Sequence, residues 1–240
     1  MDRYGPGSGR LTRRQLLRTS ARVAAGAAVA APLGHPLLAR AGKRDDRGDK
    51  PNLLVLQTDQ QRADTLSAYG NRRIHAPNLN KLAGESVVFE RAYVSFPLCS
   101  PSRSTMLTGL WPHQTKVWSN VREGITFPAA SRCVPELLHD DDYATGHMGK
   151  WHLGDEFYPQ HGFREWVSSE VYRKPMSPGR DGNRSSDYCR YLRSLGYKDD
   201  RDGAGFTRGF ATKLPIAQGK PAFLERHACD FLRRHRSEPF

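Results

Sequence analysis

Cys99-Ser100-Pro101-Ser102-Arg103 places a thiol, two hydroxyls and a guanidinium within five residues, and the run continues as Ser104-Thr105-Met106-Leu107-Thr108-Gly109. A thiol is a nucleophile, or the precursor of one. Arg103 carries a planar fork that matches the oxygens of sulfate or phosphate. Pro101 suits the first turn of a helix, where its missing N–H has no intrahelical role. Ser100 and Ser102 are expected to cap the free amides of that turn. A helix N-terminus favours negative charge, so an anion beside Cys99 would be stabilised. The opposing reading is packing: an isolated cysteine is most often a small buried hydrophobe.

Two further groups carry chemistry. Gly149-Lys150-Trp151-His152-Leu153-Gly154 sets a cation and an imidazole two residues apart. On a strand both would share one face, with Trp151 on the other. Such a pair suits an anionic ester; taken alone it also reads as a surface lysine and a core histidine. Asp59 follows the apolar run Pro51 to Leu56. A carboxylate just past a buried parallel strand lies where open α/β sheets place ligands. Asp59 would equally serve as a helix N-cap.

The elements that must position these groups follow from pattern. Pro51 to Leu56 predicts a buried parallel strand. Ala63 to Tyr69 predicts a short helix or turn, stopped by Gly70-Asn71. Pro77 opens a helix in which Leu79 and Leu82 are expected to pack inward. Ser86 to Tyr93 predicts a second strand, which delivers Cys99 through the turn at Pro97. A helix over 100–110 stops at Gly109 and Trp111-Pro112. Val134 begins another helix, and Tyr143 to Met148 predicts a short strand. Residues 170–220 read as a long loop region with a local helix from Asp187 to Leu195. Ala222 to Arg234 predicts an amphipathic helix, with Phe223, Leu224, Ala228, Phe231 and Leu232 on its apolar side.

Composition narrows the class. The 240 residues are 38% hydrophobic and 26% charged, which fits a globular domain with polar loops. The net charge of +12 is partly carried by the first 44 residues. No basic stripe is interleaved with aromatics and no zinc-finger spacing occurs, so nucleic acid is not the expected partner. The four cysteines are far apart, with no C-x-x-C. Arg13-Arg14-Gln15-Leu16-Leu17-Arg18, an apolar stretch from Ala24 to Leu33 and Ala39-Arg40-Ala41 resemble a twin-arginine (Tat) export signal with its cleavage site. The expected organisation is a signal at 1–41, a linker at 42–50 and a catalytic part at 51–240. The expected destination is the periplasm or the extracellular space, reached through the Tat machinery. The apolar stretch is shorter than the roughly 20 residues that span a bilayer, so stable membrane insertion is not expected.

Cys99, Pro101, Ser102, Arg103, Thr108 and Gly109 together resemble the C-x-P-S-R…T-G signature of the type I sulfatases. Gly149 to Gly154 resembles a second signature of that family, and His75 to Ala83 resembles its "TPNLDRLA" segment. His161-Gly162-Phe163 resembles a following segment, in which Phe163 and Trp166 read as packing residues. The resemblance implies an α/β, alkaline-phosphatase-like sulfatase fold with a mostly parallel central sheet flanked by helices. It implies that a formylglycine-generating enzyme converts Cys99 to the catalytic aldehyde, formylglycine. Asp59, Gln60 and the group made from Cys99 would hold one divalent cation, usually Ca2+; the family often has a second Asp where Gln60 stands. Arg103 would stabilise the formylglycine hydroxylate, Lys150 would bind sulfate oxygens and His152 would hydrogen-bond a formylglycine hydroxyl. The implied substrate is a sulfate ester. The family's second acidic metal pair, its further His and Lys and its C-terminal subdomain do not occur in these residues. An incomplete sheet, low stability and an inactive isolated chain are therefore expected. A phosphonate or phosphate-ester hydrolase of the same superfamily, or a non-catalytic remnant, are the alternative readings.

Overall fold

The computed structural model describes residues 50–120, 127–170, 185–200, 205–211 and 213–240. The expected export signal at 1–41, nearly all of the expected linker and much of the expected long loop region lie outside the described residues. The described helices are α1 (Pro77–Gly84), α2 (Cys99–Thr108), α3 (Pro112–Thr115), α4 (Val134–Leu138), α5 (Asp187–Ser194), α6 (Arg208–Ala211) and α7 (Lys220–Arg234). The described strands are β1 (Gly146–Gly149) and β2 (Glu165–Ser168). They pair in parallel, from Gly146 opposite Glu165 to Gly149 opposite Ser168. A parallel pair needs a crossover, and residues 150–164 supply it.

α7 covers this pair. A Cβ on Gly146 would lie 2.8 Å from the Phe231 ring, so β1 and α7 approach as closely as they do only because position 146 is glycine. Arg234 and His235 at the end of α7 close on Glu165, at 2.6 and 2.7 Å. The hydrogen bond from Arg234 holds the Glu165 carboxyl down at about 2. α5 is tied to the other end of β2, where Asp187 Oδ2 accepts from both the amide and the hydroxyl of Ser168 at 2.7 Å. Ser186 caps α5 by accepting from the Cys189 amide.

Two apolar clusters result among the described residues. One joins Tyr188, Cys189, Leu192, Phe206 and Phe223 between α5 and α7. The other joins Val117, Phe127, Cys133, Trp151 and Leu153, with Leu107, Phe163 and Trp166 against it. Phe163 and Trp166 thus pack, as expected. Phe223 and Phe231 of the amphipathic helix are buried, also as expected.

Three expectations are corrected. Residues 51–56 form no strand among the described residues, and Val55 and Leu56 are 61% and 75% exposed. Residues 86–93 likewise form no strand, with Phe89 and Tyr93 exposed. Leu79 and Leu82 of α1 face solvent rather than a core. The first two share a physical reason, and without those strands α1 has no sheet to cover among the described residues. A buried parallel strand needs a paired neighbour and covering helices, and the described residues supply these only for β1 and β2. The position of the first segment in the sheet is nonetheless marked. Ala144 donates to Pro239 O at 2.8 Å, and Leu53 donates to Phe240 O at 2.7 Å. Residues 239–240 therefore lie between the start of β1 and residues 52–53.

This burial pattern makes a contrast in urea unfolding of the 240-residue chain. Leu192→Ala, in the buried cluster, should cost about 2–5 kcal/mol. Leu54→Ser, at an exposed position, should stay within about 0.5 kcal/mol of wild type. The reverse order would place residues 51–56 in a core.

Candidate active site

α2 begins at Cys99 itself. Its N-cap is Leu98, and no side chain caps the helix. Ser100 and Ser102 are therefore not the caps expected from sequence. The Ser100 amide donates instead to Asn120 Oδ1 at 3.2 Å, and the Ser100 hydroxyl donates to the His152 carbonyl at 2.6 Å. α2 ends where Gly109 takes a left-handed conformation (φ 70°) and donates to Thr105 O. The buried face of α2 is Ser100, Pro101, Ser104 and Thr108. These are small or self-satisfied groups: Ser104 donates to Pro101 O and lies 3.2 Å from Thr115 Oγ1, and Thr108 donates to Ser104 O. Small residues let α2 sit close to α3 and to the crossover.

The crossover brings Lys150 and His152 to the mouth of α2, by a route other than the expected strand. β1 stops at Gly149, and His152 takes a left-handed backbone (φ 57°). Strand alternation therefore does not orient the pair. Arg103 Nη1 donates to the Lys150 carbonyl at 2.6 Å, which fixes the loop to α2. Lys150 Nζ lies 2.8 Å from Asp59 Oδ2, and Arg103 Nη2 lies 3.4 Å from the same oxygen. Lys150, and to a lesser degree Arg103, hold the Asp59 carboxyl below its ordinary value. The His152 imidazole is held below its ordinary value by burial and then by the Lys150 charge, which keeps the ring neutral at neutral pH. Its Nδ1 is buried without a hydrogen-bond partner.

Asp59, Arg103, Lys150 and the backbone of His152 are thus brought together at the α2 mouth, where Cys99 is half-buried. Two cations meet one carboxylate, which leaves an excess of positive charge. Gln60 follows Asp59 in an exposed segment. Calcium takes six to eight oxygen ligands. Asp59 and Gln60 offer far fewer, and Oδ2 of Asp59 is already engaged by two cations. The described residues do not by themselves fit a calcium centre.

Glu156 is the site residue that sequence reading missed. Its carboxylate accepts from the Trp151 amide at 3.1 Å and from the His152 amide at 2.5 Å, one oxygen for each. It therefore shapes the loop that presents Lys150 and His152. Trp166 Nε1 donates to the Glu156 carbonyl at 2.8 Å. Burial, with the nearby Glu170 charge, pushes the Glu156 carboxyl up to about 7. The only sequence signal is the Asp155-Glu156 pair after the second motif, and that pattern does not separate a buried acid from a surface one.

The fold and the site define a sulfatase-type hydrolase scaffold, and comparison with known proteins agrees. The sulfatase family model matches residues 51–224, and the chain belongs to that family. N-acetylgalactosamine-6-sulfatase of Sus scrofa is 38% identical over 132 residues, 50% of this chain and 25% of that protein. An ulvan-active sulfatase of Formosa agariphila is 30% identical over 146 residues, 61% of this chain and 28% of that protein. The chain thus spans about a quarter of the length of these relatives. The solved structure of Ps i-CgsB in complex with k-i-k-neocarrahexaose superposes with a TM-score of 0.56 at 24% identity, over 80% of this chain and 44% of that one. The fold is therefore the α/β, alkaline-phosphatase-like sulfatase fold.

The raised Glu156 pKa has a definite sign. Folding favours the protonated acid, so its contribution to stability is full below about pH 4.5 and is lost as pH rises through about 7. Glu156→Gln supplies one acceptor where two amides need two, at a cost of about 1–3 kcal/mol. It also removes the titration. The stability advantage of wild type over this variant should shrink as pH rises from 4.5 to 7. A difference independent of pH would contradict the assignment.

Proposed function

We propose that the chain is the part of a sulfatase that carries its nucleophile and the cations that bind sulfate, and that the whole protein hydrolyses sulfate esters. The carrying observation is the meeting of Arg103 and Lys150 on a single carboxylate at the helix that starts with Cys99. The charge of a sulfate ester there would be met by the positive charge left over once Asp59 has offset one of the two cations.

The roles follow from the contacts. Lys150 holds its ammonium 2.8 Å from Asp59 Oδ2 with the side chain 20% exposed, and would bind the non-bridging oxygens. Arg103 is almost fully buried and fixed to the Lys150 carbonyl, so it would act from a preset position rather than follow the substrate. Neutral His152 would accept or donate a hydrogen bond to the group at position 99, according to its tautomer. Formylglycine made from Cys99 by a formylglycine-generating enzyme would supply, as its hydrate, a hydroxyl nucleophile toward sulfur. Cys99 at the first position of α2 is consistent with that conversion, because its side chain is only half-buried. A divalent cation such as Ca2+, with Asp59 and Gln60 among its ligands, would need further oxygen donors. Export by the Tat route to the periplasm or beyond rests on the Arg13-Arg14 pattern and its cleavage site.

Coexpression with a formylglycine-generating enzyme, followed by mass spectrometry of the tryptic peptide spanning position 99, tests this reading. The expected result is an aldehyde in place of the thiol. An unmodified thiol, under conditions that convert another sulfatase in the same cells, would contradict it. In the whole protein, hydrolysis of an aryl sulfate is expected to exceed that of an aryl phosphate diester; the opposite order favours phosphate chemistry.

A further inference from the structure

The crossover does more than present Lys150 and His152. On its way back to β2 it lays His161 against the first turn of α4. There Cys133, Glu136 and His161 place a sulfur, a carboxylate oxygen and an imidazole nitrogen within 4.8 Å of one another. None of the three belongs to the sulfate site.

Several features point to a ligand. The His161 side chain is 9% exposed, and its Nδ1 is buried with no hydrogen-bond partner. The facing Glu136 Oε2 is 3.5 Å away, beyond a good hydrogen bond. The ring is held in place by Phe127, at 4.8 Å between centroids, and by Trp151, at 5.8 Å. His161 takes a left-handed backbone (φ 51°), which is uncommon for a residue other than glycine. The next residue, Gly162, permits the close approach: a Cβ there would lie 2.9 Å from Glu136 Cγ and Pro135 Cβ. Glu136 Oε2, the oxygen that faces His161, also accepts from the Cys133 amide at 2.8 Å. Arg132 reaches the Glu136 carbonyl rather than its carboxylate. Glu136, the most exposed of the three, lines an open cleft together with Tyr143, Gly162 and Phe163.

We propose that Cys133, Glu136 and His161 form a site for a zinc-type metal ion, separate from the sulfate site, that pins the crossover to α4. Sulfur, imidazole nitrogen and carboxylate oxygen are zinc's donor types, and water would complete a tetrahedron. Cys133 is fully buried. Binding breaks the S–H bond, forms a sulfur–metal bond and releases the proton to solvent. A metal here would stiffen the segment that carries Lys150, Trp151 and His152.

Co2+ titrated into the full chain, with a non-chelating phosphine reductant, is the test. One equivalent is expected to give thiolate-to-cobalt charge-transfer absorption in the near ultraviolet, and Zn2+ is expected to displace it. Cys133→Ser should abolish the band, and Cys99→Ser and Cys189→Ser should leave it intact. Glu136→Gln and His161→Gln should weaken binding by at least roughly tenfold. Glu136→Gln can keep the hydrogen bond to the Cys133 amide, as capping-box glutamines do, so its effect is separable from a loss of folding. Absence of the band in wild type, its survival in Cys133→Ser or its loss in Cys99→Ser would overturn the site.

Discussion

The site depends on one carboxylate. Asp59 comes from the segment that opens the described chain, Arg103 from α2 and Lys150 from the crossover after β1, and both cations meet at its Oδ2. Like charges at that distance repel strongly in a partly desolvated site. Asp59 relieves the repulsion without cancelling it, since two cations still face one anion. The residual positive charge is what an anionic ester would meet. Arg103 adds a geometric constraint through its second nitrogen, which holds the Lys150 carbonyl and so fixes where the lysine begins.

Beneath these charges lies an apolar floor. Trp151 is 1% exposed, with His147, His161, Phe163 and Trp166 packed around it at centroid distances between 5.2 and 6.1 Å. The indole anchors the middle of the Lys150-Trp151-His152 loop, and the buried Glu156 carboxylate holds the amides of Trp151 and His152. His147 is stacked on Trp166, and burial pushes its imidazole down to about 4, so it serves as a neutral packing ring. Anchoring one residue by packing and its neighbours by hydrogen bonds is what lets an irregular loop keep functional groups in place.

The parts of this arrangement that were legible in the sequence are those set by local chemistry. α2 follows from Pro101 in its first turn and its stop at Gly109, and α7 from its apolar spacing. The Cys99 and Lys150 motifs follow from residue type and order. What was not legible depends on long-range partners. Residues 51–56 have the apolar run of a buried strand, yet a strand exists only with a neighbour to pair with and a helix to cover it. The spacing of Lys150 and His152 predicts a shared strand face, but β1 ends at Gly149 and the turn at His152 redirects the chain. The Ser100 side chain was expected to cap its own helix and instead ties that helix to the crossover. Glu156 gave no readable signal, because its role is to satisfy amides whose need for a partner arises only in the folded loop.

Calorimetric titration of the purified chain with sulfate at low ionic strength addresses the anion site most directly. Wild type is expected to bind one sulfate. Arg103→Ala or Lys150→Ala should each weaken binding at least about tenfold, the loss of one charge-assisted hydrogen bond. Equal affinity in wild type and both variants would show that the two cations do not form an anion site.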